Sequence, residues 1–211
     1  MSPKSHKNKN LMSLTLRNAI YALIIILVGV TVVFIFQREE RLREANEAMA
    51  RGEELLAKGF KEASEEHFKM ATSLNPQLVQ AWIKWANISA ESGDYRFALP
   101  RYQEALLQDS TSFEAQIGVA VCLDGLDEFF HAEKAYKHAL FLRPQFAEVY
   151  YNLAFLYQRQ RLYEEAIKLY ENSLKLRPDF LQALANVGLC WDRLHDPGKA
   201  VEYYGRATAR Y

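Results

Sequence analysis

The stretch AEVYYNLAFLYQRQRLYEEAIKLYENSLKLRPDF, residues Ala147–Phe180, is the unit from which most of this chain is built. Its small and aromatic positions recur when the sequence is shifted by the length of this unit, so that Tyr170 maps onto Tyr136 and then onto Tyr102. A fixed period of this kind is typical of proteins built from stacked repeats. The period therefore takes precedence over any local motif in predicting the fold.

From Ala45 onward, the period divides the chain into five units, each predicted to be two amphipathic helices joined by a short turn. The units are residues 45–78, 79–112, 113–146, 147–180 and 181–211. Small residues recur on the first helix of each unit, where helices must approach closely, at Gly52, Ala86, Ala120, Ala154 and Gly188. Aromatic residues recur on the second helix, at Phe68, Tyr102, Tyr136, Tyr170 and Tyr204. In the last unit, Asp196 and Pro197 predict an N-cap and a first helical residue.

This pattern resembles the tetratricopeptide repeat family, whose repeat of about 34 residues has the signature W-x2-L-G-x2-Y…A-x3-F…P. The 147–180 unit supplies the matching residues Tyr150, Leu153, Ala154, Tyr157, Ala166, Tyr170 and Pro178. The resemblance covers residues 45–211 and implies an all-α fold, a right-handed α-solenoid of five helix-turn-helix repeats. The chain ends inside the second helix of the fifth unit, without the polar capping helix that terminal repeats usually need.

The N-terminal part is predicted to be a membrane anchor. Ala19–Phe36 is a run of 18 residues without a charge, which spans about 27 Å as a helix and is close to the thickness of a bilayer core. We expect residues 1–13 to be a disordered basic tail and residues 14–44 to be a transmembrane helix with a helical link. A cleaved signal peptide is the alternative, but no small-x-small cleavage site follows Phe36.

The residues that flank the apolar run predict how the anchor connects to the repeats and on which side of the membrane the repeats lie. Between Leu14 and Lys58 there is no proline, so the anchor is predicted to run as one helix into the first repeat, supported by a Glu39–Arg43 pair. Basic residues are equally numerous on both sides of the apolar run. The segment before the run carries only basic charges, so we predict that it stays in the cytoplasm. The repeats would then lie on the far side, which is the periplasm in a bacterium.

Composition narrows the classes of partner. The 211 residues carry 26 basic and 26 acidic side chains, and residues 45–211 hold 19 basic and 23 acidic ones, so the repeat region has no basic stripe for nucleic acid. Cys122 and Cys190 occupy the same position two repeats apart, which is too far for a disulfide. We interpret both as small core residues.

The family resemblance implies that the inward face of each first helix lines a concave groove for partner segments. Carried over by register, the groove residues are Met49, Glu53, Ile83, Lys84, Asn87, Ile117, Val121, Tyr151, Asn152, Phe155, Arg159, Asn186, Leu189 and Arg193. The family's clamp for C-terminal carboxylates is absent, since only Asn87 matches it. Tyr151 and Phe155 lie one helical turn apart and are candidate anchors for an apolar side chain. Packing of either ring against a neighbouring helix is the alternative.

Catalysis and metal binding have little support in the sequence. The histidines at 67, 131, 138 and 195 fall in different repeats without a recurring carboxylate or cysteine partner. Asp124, Asp127 and Glu128 supply too few ligands for a calcium loop. We therefore predict a protein that is not an enzyme and has no cofactor, metal site or nucleic-acid partner.

The leading hypothesis is a single-pass membrane protein whose solenoid recruits other proteins, as a scaffold or assembly factor. A targeting receptor or holding chaperone for apolar segments near a translocon is the main alternative, and a regulatory subunit of an enzyme is another. Self-association through the uncapped C-terminal helix is a further hypothesis, motivated by Val201, Tyr203 and Tyr204.

Overall fold

The computed structural model describes the backbone of residues 3–209 and the side chains of residues 16–209, and within that range the chain forms ten α-helices and no strand. The helices are α1 (Pro3–Ala57), α2 (Lys61–Leu74), α3 (Val79–Glu91), α4 (Tyr95–Gln108), α5 (Phe113–Gly125), α6 (Phe129–Leu142), α7 (Ala147–Arg159), α8 (Tyr163–Leu176), α9 (Leu181–Arg193) and α10 (Pro197–Thr208).

The helices pack as consecutive pairs, and each pair stacks on the next. We call α1, α3, α5, α7 and α9 the first helices, and α2, α4, α6, α8 and α10 the second helices. Each helix contacts the next one along the chain, and from α3 to α9 successive first helices also contact one another. The first helices therefore form the inner layer of the stack. This arrangement is an all-α helical repeat solenoid, as the period predicts.

The small and aromatic positions meet inside the pairs. The rings of Phe68, Tyr136 and Tyr170 are almost completely buried, and the small residues Ala86, Ala120 and Ala154 have no exposed surface. A Cβ atom built on Gly52 would lie 2.7 Å from the ring of Phe68, so a larger residue would not fit there without movement. The recurrence of small residues opposite rings thus has a steric cause.

The last pair offers a direct test of this packing. A Cβ atom on Gly188 would lie 2.5 Å from the ring of Tyr204, whose hydroxyl donates a hydrogen bond to Asp192 at 2.8 Å. We expect Gly188→Ala to lower the free energy of unfolding by about 1–3 kcal/mol, because the ring must move away. Gly205→Ala is the control, because its Cβ would meet nothing within 4 Å and should gain up to about 1 kcal/mol of helix propensity. Thermal unfolding followed by circular dichroism measures both, and an unchanged Gly188→Ala variant would contradict the packing.

The turn inside each pair has the same left-handed residue. Positive φ angles occur at Gly59, Gly93, Asp127, Arg161 and His195, each of which lies one repeat after the one before it. In every pair, the N–H of the following residue bonds to the carbonyl five residues earlier, as in Leu162 to Tyr157 at 3.0 Å and Asp196 to Trp191 at 3.0 Å. These are Schellman caps, which usually use glycine. The predicted cap of α10 is confirmed, because Asp196 accepts from the Lys199 N–H and Pro197 begins the helix.

Helix α1 continues without interruption from the apolar run into the first pair, as predicted. Its ion pair differs from the expected one, because Arg43 contacts Glu40 at 2.5 Å and Glu47 at 4.0 Å instead of Glu39. The helix begins at Pro3, whereas we expected residues 1–13 to lack regular structure. Proline suits a first helical turn, where its missing N–H would have no partner. Residues 1–2 lie outside the described part of the chain.

The two cysteines are free and buried in separate parts of the core. Burial raises the pKa of each thiol to about 12, so both stay protonated at neutral pH. The prediction that they are small core residues is confirmed.

Candidate functional site

The inner layer holds the predicted groove, but several of its residues are occupied within the fold. Ile83 is only 4% exposed and packs in the core, so its assignment to the groove surface is wrong. The register places it on the inner layer, but it belongs to the buried core that α3 shares with α4 to α7. Ile117 and Val121 are half-buried against the same core, and Met49 packs beside Ala48 near α3.

Most of the polar groove residues bind other side chains of the chain itself. Lys84 lies 3.9 Å from Glu53, which joins α3 to α1. The Asn87 side-chain oxygen accepts a hydrogen bond from the Tyr102 hydroxyl at 2.5 Å. Asn186 donates to the Tyr170 hydroxyl at 3.1 Å. These groups therefore hold neighbouring helices together, and Asn152 is left half-buried on α7.

The two aromatic candidates have different environments. Tyr151 lies against Phe180 and Tyr170, with ring centroids 4.8 and 5.6 Å away, and its hydroxyl accepts from Asn186 at 3.2 Å. Phe155 is 40% exposed. The packing alternative therefore applies to Tyr151, and Phe155 is the ring that a ligand can reach.

Arg159 is held by the preceding pair. Its guanidinium donates to the Asp124 carboxylate at 2.6 Å, also pairs with Asp127, and lies over the ring of Phe129 at 5.0 Å. Burial raises the pKa of Asp124, and the Arg159 charge opposes that shift. Arg159 thus ties the turn after α5 to the end of α7, and these aspartates have a structural partner.

A cleft of about 650 Å³ opens where the ends of α7 and α9 meet the turns that follow them. It is lined by Gln158, Arg159, Arg161, Tyr163, Leu189, Asp192, Arg193 and His195. Leu189 is 37% exposed and supplies an apolar floor. Of the predicted groove residues, the structure brings Arg159, Leu189 and Arg193 together here.

The cleft is rich in cationic side chains. Among the residues whose side chains are described, no carboxylate lies within 4 Å of a cationic nitrogen of Arg161 or Arg193. Asp192 already accepts a hydrogen bond from the Tyr204 hydroxyl. The arrangement therefore offers two arginines and a histidine beside apolar surface, which suits a ligand that carries both carboxylates and apolar side chains.

Arg161 and His195 were not among the predicted site residues. They occupy the left-handed turn position, where the first two repeats have Gly59 and Gly93. Non-glycine residues at positive φ carry strain of order 1–3 kcal/mol and often mark functional positions. The repeat period alone shows that glycine is replaced there by a charged or titratable residue in the last three repeats, and this signal could have led to the cleft.

The described acidic, histidine and cysteine side chains are scattered over the solenoid. Over the part that the structure describes, no group of three or more His, Cys, Asp or Glu side chains is placed to hold a metal ion. His131 lies beside Glu128 at 3.4 Å on an exposed surface of α6. The cleft and the inner layer are therefore the features that a ligand could use.

The residues of the fourth helix pair agree with a known repeat. Residues 147–180 match the family model for the tetratricopeptide repeat. This fourth pair is a tetratricopeptide repeat. The match covers α7, α8 and the turn at Arg161, which places one side of the cleft on a tetratricopeptide repeat. A search among curated protein sequences found no match for the chain.

Solved tetratricopeptide repeat structures have the same fold. The MamA protein superposes with a TM-score of 0.72 at 24% identity, covering 78% of this chain and 90% of MamA. YrrB, described as a tetratricopeptide repeat protein with an unusual peptide-binding site, gives 0.66 at 17% identity over 82% and 90% of the two chains. The Pseudomonas aeruginosa protein pilF gives 0.69 at 18% identity over 82% and 78%. At these identities the likeness supports the solenoid fold.

Proposed function

We propose that this protein is a membrane-anchored scaffold or assembly factor that holds a segment of a partner protein on the inner face of its solenoid. The observation that carries the proposal is the cleft between the fourth and fifth helix pairs, which Arg161, Arg193 and His195 line together with Leu189. The repeat region as a whole is mildly acidic. The charges of Arg161 and Arg193 there favour an acidic segment with apolar side chains over a basic one.

The N-terminal helix supports the attachment to a membrane. An 18-residue window of α1 within Leu16–Ala57 has a mean hydropathy of 3.0, and none of it is buried against the rest of the protein. The helix then continues into the first pair, where Ala45 and Ala48 are buried. The groove would thus be held close to the bilayer by a continuous helix. The preferred topology keeps the basic tail in the cytoplasm and the repeats on the far side.

A capture experiment from membranes tests this proposal. The wild type, a Phe155→Ala/Leu189→Ala variant and an outer-face control, Phe97→Ala/Phe130→Ala, are cross-linked in membranes and purified. The control removes rings that are 65% and 76% exposed away from the inner layer. We expect the partner to be captured by the wild type and the control but reduced at least tenfold in the groove variant. That corresponds to a loss of about 1.4 kcal/mol in binding. Equal capture by all three proteins would contradict groove binding.

The alternatives predict different capture patterns. A targeting receptor or holding chaperone should capture many apolar segments weakly, whereas an assembly factor should capture one dominant partner. A regulatory subunit should bring an enzymatic activity with it.

Self-association would use Val201, which is 69% exposed, because Tyr203 and Tyr204 are half-buried and bonded to Glu171 and Asp192. Light scattering of Val201→Glu tests that last role, and an unchanged oligomer would exclude it.

A further inference from the structure

The solenoid has two edges, and one of them lies beside the apolar part of α1. The turns inside the pairs form one edge, and the turns between pairs form the other. A cleft of about 600 Å³ is lined by Phe34 and Arg38 of α1 together with Asn75–Gln77 and Gln108. Asn75–Gln77 is the turn between the first two pairs, and Gln108 ends α4. The edge between pairs is therefore level with the end of the apolar run.

This edge carries apolar side chains that nothing in the described chain covers. Leu107 near the end of α4 is 74% exposed, and Phe141 near the end of α6 is 80% exposed. The two residues occupy the same position in successive repeats. Leu176 near the end of α8 is 41% exposed. The ends of three successive second helices thus present apolar groups on one edge.

We propose that the edge between helix pairs lies on the membrane surface and that Leu107 and Phe141 enter the interfacial region of the lipid bilayer. This inference rests on the proposed anchoring by α1. Because α1 is one helix from the apolar run to the first pair, a bilayer that ends near Phe36 brings lipid headgroups to the level of Asn75 and Gln108. Exposed apolar side chains at that level gain by partial burial among the acyl chains.

This orientation of the solenoid on the membrane also determines which way the cationic cleft faces. The second helices have 12 to 14 residues, so the two edges are about 20 Å apart. Arg161 and His195 lie on the edge of turns inside the pairs, which faces away from the lipid in this arrangement. The partner segment would therefore enter the cleft from the aqueous side.

Cysteine labelling of the full-length protein in phosphatidylcholine vesicles tests the proposal. An environment-sensitive fluorophore is attached at Leu107→Cys or Phe141→Cys. The matched controls are Phe97→Cys and Phe130→Cys, which lie near the opposite ends of the same two helices. Phe130 and Phe141 are separated by about 16 Å along α6. The native thiols should react little, because both are buried.

Vesicles with brominated acyl chains then report contact with lipid. We expect at least twofold quenching at positions 107 and 141, and little at positions 97 and 130. If none of the four positions is quenched while the protein resists alkaline extraction, the anchor stands and the edge proposal is overturned. If the protein is extracted by alkali, the anchoring itself fails. A shift of emission at position 141 that depends on protein concentration, without quenching by brominated lipid, would show contact with a second copy and would also overturn the proposal.

Discussion

Replacing Tyr170 with alanine is expected to lower the free energy of unfolding by about 3–5 kcal/mol. The ring has no exposed surface and lies in the core between the fourth and fifth pairs. Its hydroxyl donates to Gln158 at 2.6 Å and accepts from Asn186 at 3.1 Å. Truncation would therefore leave a cavity and remove the link between α8 and α9. Chemical unfolding of the detergent-solubilised protein, followed by circular dichroism, measures the loss.

Two further variants separate the contribution of the Tyr170 hydroxyl from that of its buried ring. Tyr170→Phe keeps the ring and should cost about 0.5–1.5 kcal/mol, because the half-buried amides of Gln158 and Asn186 lose a partner. Tyr204→Ala removes the equivalent ring of the last pair, which is half-buried, and should cost less than Tyr170→Ala. If the loss for Tyr170→Ala were no larger than that for Tyr204→Ala, the ring could not be a main element of the core.

Deleting residues 1–36 is expected to convert a membrane protein that resists alkaline extraction into one that leaves the membrane. The deleted part contains the uncharged run Ala19–Phe36, most of whose residues each favour membrane insertion by roughly 0.3–0.6 kcal/mol. The rest of α1 is retained, including Ala45 and Ala48, which pack in the first pair. The repeats should therefore keep their helical content.

A version with an unrelated leucine-rich run of equal length in place of Ala19–Phe36 is the control, and it should restore resistance to alkali. The intact mass of the protein purified from membranes separates an anchor from a signal peptide, since cleavage after Phe36 would remove the run. Persistent resistance to alkali after the deletion would show that another surface holds the protein to the membrane.

The repeat architecture could be predicted because it depends on a pattern that the sequence repeats five times. Small residues such as Ala154 and rings such as Tyr170 must recur at one spacing if each pair is to pack like the next. The continuity of α1 was also predictable, because no proline follows Pro3 until Pro76. Local caps such as Asp196 follow from neighbouring residues alone.

The groove was less predictable, because register indicates the layer in which a residue lies but not its contacts. Ile83 and Tyr151 have the register of groove residues, yet Ile83 is buried and Tyr151 packs on Phe180. Arg159 was expected to be available, but two aspartates of the preceding repeat bind it. Such long-range pairs depend on the rotation between helix pairs, which the period does not specify. The Schellman turn at Arg161 was missed because an arginine stands where such caps usually have glycine.

Photo-cross-linking at a single inner position tests whether the cationic cleft binds the partner. A photoreactive amino acid replaces Leu189 in the cleft or, as a control, Phe130 on the outer surface of α6, in the full-length protein in its own membranes. We expect one dominant adduct at position 189, little at position 130, and loss of the adduct when Arg161→Glu and Arg193→Glu are added. An adduct at position 189 that survives both charge reversals, or adducts at position 130 alone, would contradict a cationic cleft that binds the partner.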